Sequence, residues 1–304
     1  YLQGSISNEL RLAAKSIALA QGLSFYDPRI HEGFLRNIII RSNEAGEVML
    51  IVIFGEDHDD QRAAYLDALL KRFPQIVSLY YCINQKVNDF ILDLDIICYR
   101  GTPYLLEKLG DVEFQIGPKS FFQTNTQQAV RLFDIVKEFA GLTGNENVYD
   151  LYTGLGSIAL YIAAQCHQVV GIEEIAAAIE DARLNQKRNN ISNAVFYAGD
   201  VKYILSDEFS QKHGLPDVVI TDPPRAGMHR EVVNTLLLLE APKIVYVSCN
   251  PATQARDLYS LKQKYAVTKA QPVDMFPHTH HVENVVLLEL LPKEQWHLSD
   301  IDTA

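Results

Sequence analysis

The chain has 304 residues, 48% hydrophobic and 21% charged, which excludes a disordered polypeptide and, at about 150 residues per domain, predicts two domains. A formal net charge of −11, from 27 Lys and Arg against 38 Asp and Glu, excludes a generic cationic coat for nucleic acid, since such binding needs basic side chains meeting phosphates. Neither residues 1–115, with 11 basic and 16 acidic side chains, nor the remainder, with 16 and 22, is basic, so nucleic acid would have to be met by a local groove.

Asn8 to Gln21 carries helical apolar spacing at Leu10, Leu12, Ala13, Ile17 and Ala20. Phe34 to Arg41 and Glu47 to Phe54 read as β-strands joined by a turn at Ser42 to Gly46. A charged loop (GEDHDD, 55–60) precedes a helix from Gln61 to Phe73, and Val77 to Asn84 and Asp89 to Cys98 read as strands. From Thr126 helix and strand alternate: a helix to Phe139, strand Asn147 to Tyr152, helix Ile158 to Ala164, strand Gln168 to Glu173 and helix Ala176 to Asn189. Strands at Ala194 to Ala198, Val218 to Thr221, Lys243 to Val247 and Asn284 to Leu290 follow. Strands separated by helices imply βαβ units and a mostly parallel sheet. The fold class is α/β: an open doubly wound domain at 116–304 behind a smaller α/β module at 1–115. No apolar run reaches the ~18 residues of a membrane span. Tyr1-Leu2-Gln3-Gly4 has no signal-peptide pattern, and four cysteines without a Cys-x-x-Cys pair suit a reducing cytoplasm.

The segment VYDLYTGLGS (148–157) is a strand, a glycine turn and a helix start. Gly154 and Gly156 let the backbone approach a ligand, and the helix start offers free N–H groups. The third glycine of the dinucleotide fingerprint is missing, which disfavours a nicotinamide or flavin. Glu173 closes the next strand, where an acid reaches a ribose diol, and Asp200 follows the third, where a carboxylate can meet an adenine amine. These three features in register match S-adenosylmethionine-dependent methyltransferases; the plain alternative is a structural turn with surface acids.

Asp222-Pro223-Pro224-Arg225 lies at another strand end. Enzymes that methylate exocyclic amines carry an aromatic residue after the two prolines; Arg225 stands there instead. Cys249, in Ser248-Cys249-Asn250-Pro251, ends the next strand and is either a nucleophile facing the same crevice or a buried small hydrophobe. Cys82, Cys98 and Cys166 are read as buried hydrophobes. His278, His280 and His281 lack zinc-site spacing, so no metal is expected, and Glu283 reads as a general base or a surface acid.

The motifs FFQTN (121–125), DLYTGLGS (150–157), DPPR (222–225), SCNPAT (248–253) and DMFPHTHHVE (274–283) occur in one order. Together they resemble the RNA uracil-C5 methyltransferase family, closest to its RumA-type 23S ribosomal RNA branch, with the TrmA-type tRNA enzymes as siblings. The resemblance implies a Rossmann-like S-adenosylmethionine-dependent domain with Gln123, Tyr152, Ser157, Glu173 and Asp222 around the cofactor, Cys249 as nucleophile and Glu283 as base. Thr153 stands where many members have Cys, and Ser157 where TrmA-like members have Asn. Members of this type begin with a TRAM RNA-binding domain and a four-cysteine iron–sulfur segment. Neither is seen here, so the chain is expected to be a fragment that starts inside the central domain, with any iron–sulfur cluster in a missing amino-terminal part.

Uracil C5 is too weak a nucleophile to take a methyl group directly. A thiolate added at C6 makes C5 reactive, and a base must then remove the C5 proton; Cys249 and Glu283 suit these roles. The base must be unstacked to reach them, with Pro223, Pro224 and Phe121–Phe122 as its walls or as core packing. The expected partner is RNA, foremost 23S ribosomal RNA, acted on by a monomer without membrane association. The alternatives are a tRNA uracil-C5 enzyme, a non-catalytic RNA-binding protein that retains S-adenosylmethionine, and a small-molecule methyltransferase.

Overall fold

The computed structural model describes residues 3–297, so Tyr1 and Leu2, read above for a signal peptide, lie outside it. The chain divides into two compact units, Tyr1–Glu107 with Gln115–Ser120, and Lys108–Phe114 with Phe121–Ala304.

In the first unit, α1 (Ser5–Ala20) buries the stripe Leu10, Ala13, Ala14 and Ala18, one face of a helix. The unit's sheet runs in the order β1 (Leu35–Ser42), β2 (Val48–Phe54), β3 (Ile76–Ile83), β4 (Ile97–Gly101). The central strand β2, VMLIVIF, is buried at every position. It pairs antiparallel with β1 and parallel with β3 across the helix α2 (Asp59–Arg72). Only the end of the segment Asp89–Cys98 is strand. Residues 84–89 wrap the guanidinium of Arg36, which is 2% exposed and donates to the carbonyls of Asn84, Lys86 and Asn88 and to Asp89 Oδ1. With those carbonyls turned onto one cation, a ladder cannot form there. Further on, the Leu94 N–H donates to the Ile91 carbonyl at 3.0 Å, a local turn in place of a ladder. Cys82 and Cys166 are buried, but Cys98 is exposed, because β4 is an edge strand, and this corrects its reading as a core residue.

A hairpin of β5 (Leu105–Leu109) and β6 (Val112–Ile116) lies where the chain divides. The second unit is then built from α3 (Thr126–Ala140), β7 (Asn147–Leu151), α4 (Ser157–Ile162), β8 (Gln168–Glu173), α5 (Ala176–Arg188), β9 (Ala194–Ala198), α6 (Val201–Ile204) and α7 (Asp207–His213). It continues through β10 (Val218–Thr221), α8 (Arg230–Leu239), β11 (Lys243–Ser248), α9 (Pro251–Leu261), β12 (Tyr265–Val273) and β13 (Glu283–Leu290). The seven-stranded sheet has the order β12-β13-β11-β10-β7-β8-β9. The five strands from β11 to β9 are mutually parallel, so their carboxyl ends share one edge. Strand β13 runs antiparallel to β11 and therefore begins at that same edge. The strand order reverses beside β7, and the crevice beyond the carboxyl ends at such a point is where ligands bind in open α/β sheets.

Candidate active site

The glycine turn follows β7. Tyr152, Gly154 and Gly156 all adopt positive φ (63°, 57° and 82°). At Gly156 a Cβ would lie 3.1 Å from the Phe196 ring, whereas at Gly154 it would meet nothing within 4 Å. Gly156 is thus a packing requirement, and the open side of the turn is at Gly154. Beneath the turn, Asp150 is 1% exposed and accepts from Thr153 Oγ1 (2.5 Å) and the Ala159 N–H (3.1 Å) through Oδ2. Its Oδ1 is buried without a partner, and burial pushes the carboxyl up to about 7 despite those two bonds. Burial likewise pushes the Tyr152 phenol up to about 12. Ser157 is half-buried at the start of α4.

Glu173 ends β8 and reaches back to the turn, accepting from the Gly154 N–H (3.2 Å) and from the Ile175 N–H (3.0 Å). Asp200 caps α6 through the Lys202 N–H (3.0 Å) and pairs with Lys202 Nζ at 3.3 Å, so it also serves the protein's own backbone. Gln123 is half-buried in the segment leading into α3. Two residues on, Asn125 caps α3 through the Gln128 N–H and donates to the Met275 carbonyl at 2.9 Å, which ties FFQTN to DMFP. The phenylalanine pair splits: Phe122 packs on Phe114 with ring centroids 5.6 Å apart, and Phe121 is 77% exposed. Pro223 is buried and Pro224 exposed.

Cys249 and Glu283 come together through register. Ser248 of β11 pairs with Asn284 of β13, so the residues that flank this last pair, Cys249 and Glu283, meet at one corner, where the charge of Glu283 acts on the thiol. Gln254 of α9 fixes this corner by donating to the Tyr246 (2.9 Å) and Asn284 (3.2 Å) carbonyls and accepting from Asn284 Nδ2 at 2.7 Å. Asp222 follows β10 with its N–H directed at the Leu151 carbonyl (3.4 Å). Burial, with Glu283 and Asp150 nearby, holds its carboxyl well above the usual range. Burial also raises Glu283. The half-buried Cys249 thiol is raised by burial and by the charges of Glu283 and Asp222, against which Arg225 acts. A carboxyl nearer neutrality is a better proton carrier, and a thiol between two acids rests protonated until a positive charge arrives.

The residues fit a nucleoside cofactor carrying a diol and a cationic centre. Glu173 lies at the end of β8, the turn is open at Gly154, and the unpartnered Oδ1 of Asp150 and the carboxyl of Asp222 leave uncompensated acid on the crevice floor. Among the described residues no group of three His, Cys, Asp or Glu could hold a metal ion, and no helix is long and apolar enough to cross a membrane.

The family model described as tRNA (Uracil-5-)-methyltransferase matches residues 108–291. The chain belongs to this family. It is 55% identical over 293 residues to a protein of Bacteroides thetaiotaomicron named an uncharacterized RNA methyltransferase, covering 95% of this chain and 64% of that protein. A Porphyromonas gingivalis protein of the same name is 52% identical, with 95% and 63% covered. The chain therefore spans less than two thirds of the length of these relatives. The crystal structure of Pyrococcus abyssi tRNA (uracil-54, C5)-methyltransferase in complex with S-adenosyl-L-homocysteine is 34% identical, with a TM-score of 0.78 over 94% of this chain and 67% of that one. The second unit thus has the Rossmann-like fold of S-adenosylmethionine-dependent methyltransferases.

Around the family's motifs the structure adds two residues of α9 that the motifs do not contain, Gln254 and Asp257. Their signal lies in helical spacing, since Asn250, Thr253, Gln254 and Asp257 turn toward one side of α9, and two of the three buried residues of that helix, Gln254 and Asp257, are polar.

Proposed function

We propose that this chain is the catalytic part of an S-adenosylmethionine-dependent RNA uracil-C5 methyltransferase acting in the cytoplasm, with RNA contacts also on the module at 1–115. The observation that carries the reading is the Ser248–Asn284 pair, which brings the flanking Cys249 and Glu283 to one corner where Glu283 and Asp222 both act on the thiol. Gln123, Tyr152, Gly154, Gly156, Ser157, Glu173, Asp200 and Asp222 would hold the cofactor, which supplies a methyl group on a cationic sulfur. Cys249 adds to C6 of an unstacked uracil, and the displaced electron pair makes C5 the nucleophile that takes the methyl group. Glu283 then removes the C5 proton, and the returning electrons expel the thiolate. Asp150 and Glu173 fix the glycine turn, and Phe121, exposed on the same unit, offers a ring on which a displaced base can stack.

The order and content of the motifs favour 23S ribosomal RNA. A transfer RNA substrate is the second reading, favoured by the likeness to a tRNA (uracil-54, C5)-methyltransferase. Nucleoside mass spectrometry after incubation of the full-length protein with labelled S-adenosylmethionine and unmodified RNA tests both. Labelled 5-methyluridine in ribosomal RNA supports the first, its appearance only in transfer RNA the second, and label on neither RNA overturns the activity.

A further inference from the structure

The loop after Asp222 is fastened to α9 by side chains that the reaction above does not use. Asn250 caps α9 by accepting from the Ala252 N–H through Oδ1 (3.1 Å), while its Nδ2 donates to the Arg225 carbonyl at 3.1 Å. The Thr253 hydroxyl lies 3.2 Å from the same carbonyl and 3.1 Å from that of Asn250. Further along the loop, Asp257, 3% exposed, accepts from the Met228 N–H (2.9 Å) and the Tyr246 hydroxyl (2.7 Å). Arg256 donates to the Ala226 carbonyl at 3.0 Å. Gly227, at φ 81°, is pressed so closely on this helix that a Cβ there would lie 2.6 Å from Arg256 Nη2 and 2.8 Å from Asp257 Oδ2. One helix face therefore holds four consecutive residues of the loop, and that helix begins two residues after Cys249.

We propose that Asn250 and Thr253 are positioning residues that clamp the Arg225 backbone to the start of α9, so that the DPPR loop and the Cys249 thiol keep one fixed geometry. This rests on the reading of Cys249 as nucleophile. Both donors converge on one backbone carbonyl of an exposed loop, where water would serve as well if hydrogen-bond satisfaction were the sole need. The Asn250 cap requires only the Oδ1 side of its amide; the Nδ2 side is spent on the loop. With the clamp in place the Arg225 charge opposes Glu283, at the start of β13, and Asp222, which follows β10, the two acids that raise the thiol. Asp222 itself is anchored separately, by its N–H toward Leu151. Opening the clamp therefore frees the cation and leaves the acids.

The test uses Asn250→Ser, which keeps a capping oxygen, Thr253→Val, which removes the hydroxyl at constant shape, their double variant, and Thr253→Ser as the conservative control. Alkylation of Cys249 by iodoacetamide is followed against pH by peptide mass spectrometry, which separates it from the exposed Cys98. The expected result is an alkaline shift of about half a pH unit in the double variant, a smaller one in each single variant and none in Thr253→Ser. In the full-length protein the double variant should lower kcat for RNA methylation about tenfold or more, with S-adenosylmethionine affinity unchanged, as displaced reacting groups do. An alkylation profile that stays in place in the double variant overturns the clamp. Because alkylation needs no RNA, failure of the methylation reading, seen as absent turnover in the wild type, is distinguishable from failure of the clamp.

Discussion

Replacing Asp150 by Asn should stabilise the chain at neutral pH and leave it unchanged in acid. The carboxyl is buried under the glycine turn, with Oδ2 accepting two hydrogen bonds and Oδ1 accepting none. Its ordinary value of 3.8 is pushed up to about 7, with burial the largest cause and the charge of Glu173 adding to it. Below about pH 4 the group is protonated folded and unfolded alike, so it imposes no penalty. As pH rises from there the unfolded chain ionises first and the folded chain must keep its proton, so stability falls until the pH passes about 7. At about 1.4 kcal/mol per unit, the interval converts to roughly 4 kcal/mol as an upper figure. Asparagine keeps the shape and the accepting oxygen, and its amide nitrogen takes the place of an oxygen that lacks a partner already. Urea unfolding followed by the fluorescence of Trp296, the one tryptophan of the chain, reads the second unit alone. Measured at pH 4, 6 and 8, the variant should match wild type at pH 4 and gain progressively. A difference that does not change with pH, or a variant less stable at pH 8, would refute the reasoning.

Cys249→Ala should abolish methyl transfer and leave S-adenosylmethionine affinity within about twofold, measured by calorimetry, because the proposed mechanism has the thiol act on the base. Glu283→Gln should accumulate a methylated RNA adduct on Cys249 that survives denaturing electrophoresis, since addition and methylation do not need the base. Glu173→Ala should weaken S-adenosylhomocysteine binding at least tenfold, because it removes both the proposed ribose contact and the side chain that holds the Gly154 N–H.

The parallel strands were legible because each is a short β-branched run closed by a turn or an acid, as in Gln168–Glu173, and because helices separate them. Strand β12 was not: its middle is exposed and Pro272 sits inside it, a pattern that only an edge strand tolerates and that no buried alternation marks. The segment after Asp89 misled because its alternating Asp and Leu mimic a strand, whereas its entry is decided by Arg36, a residue distant in sequence. Cys249 and Glu283 were readable as chemistry. Their juxtaposition rests on the antiparallel return of β13, which motif order alone does not encode. Asp200 was readable as an acid at a strand end, but not its second task as the cap of α6.

The central claim, that Cys249 attacks uracil, is tested most directly by incubating the full-length protein with S-adenosylmethionine and RNA containing 5-fluorouridine. Fluorine at C5 cannot be removed as a proton, so the account predicts a stable protein–RNA species whose RNA-bearing peptide contains Cys249. No covalent species with the fluorinated RNA under conditions in which the same RNA with uridine is methylated, or an adduct mapped to another residue, would contradict it.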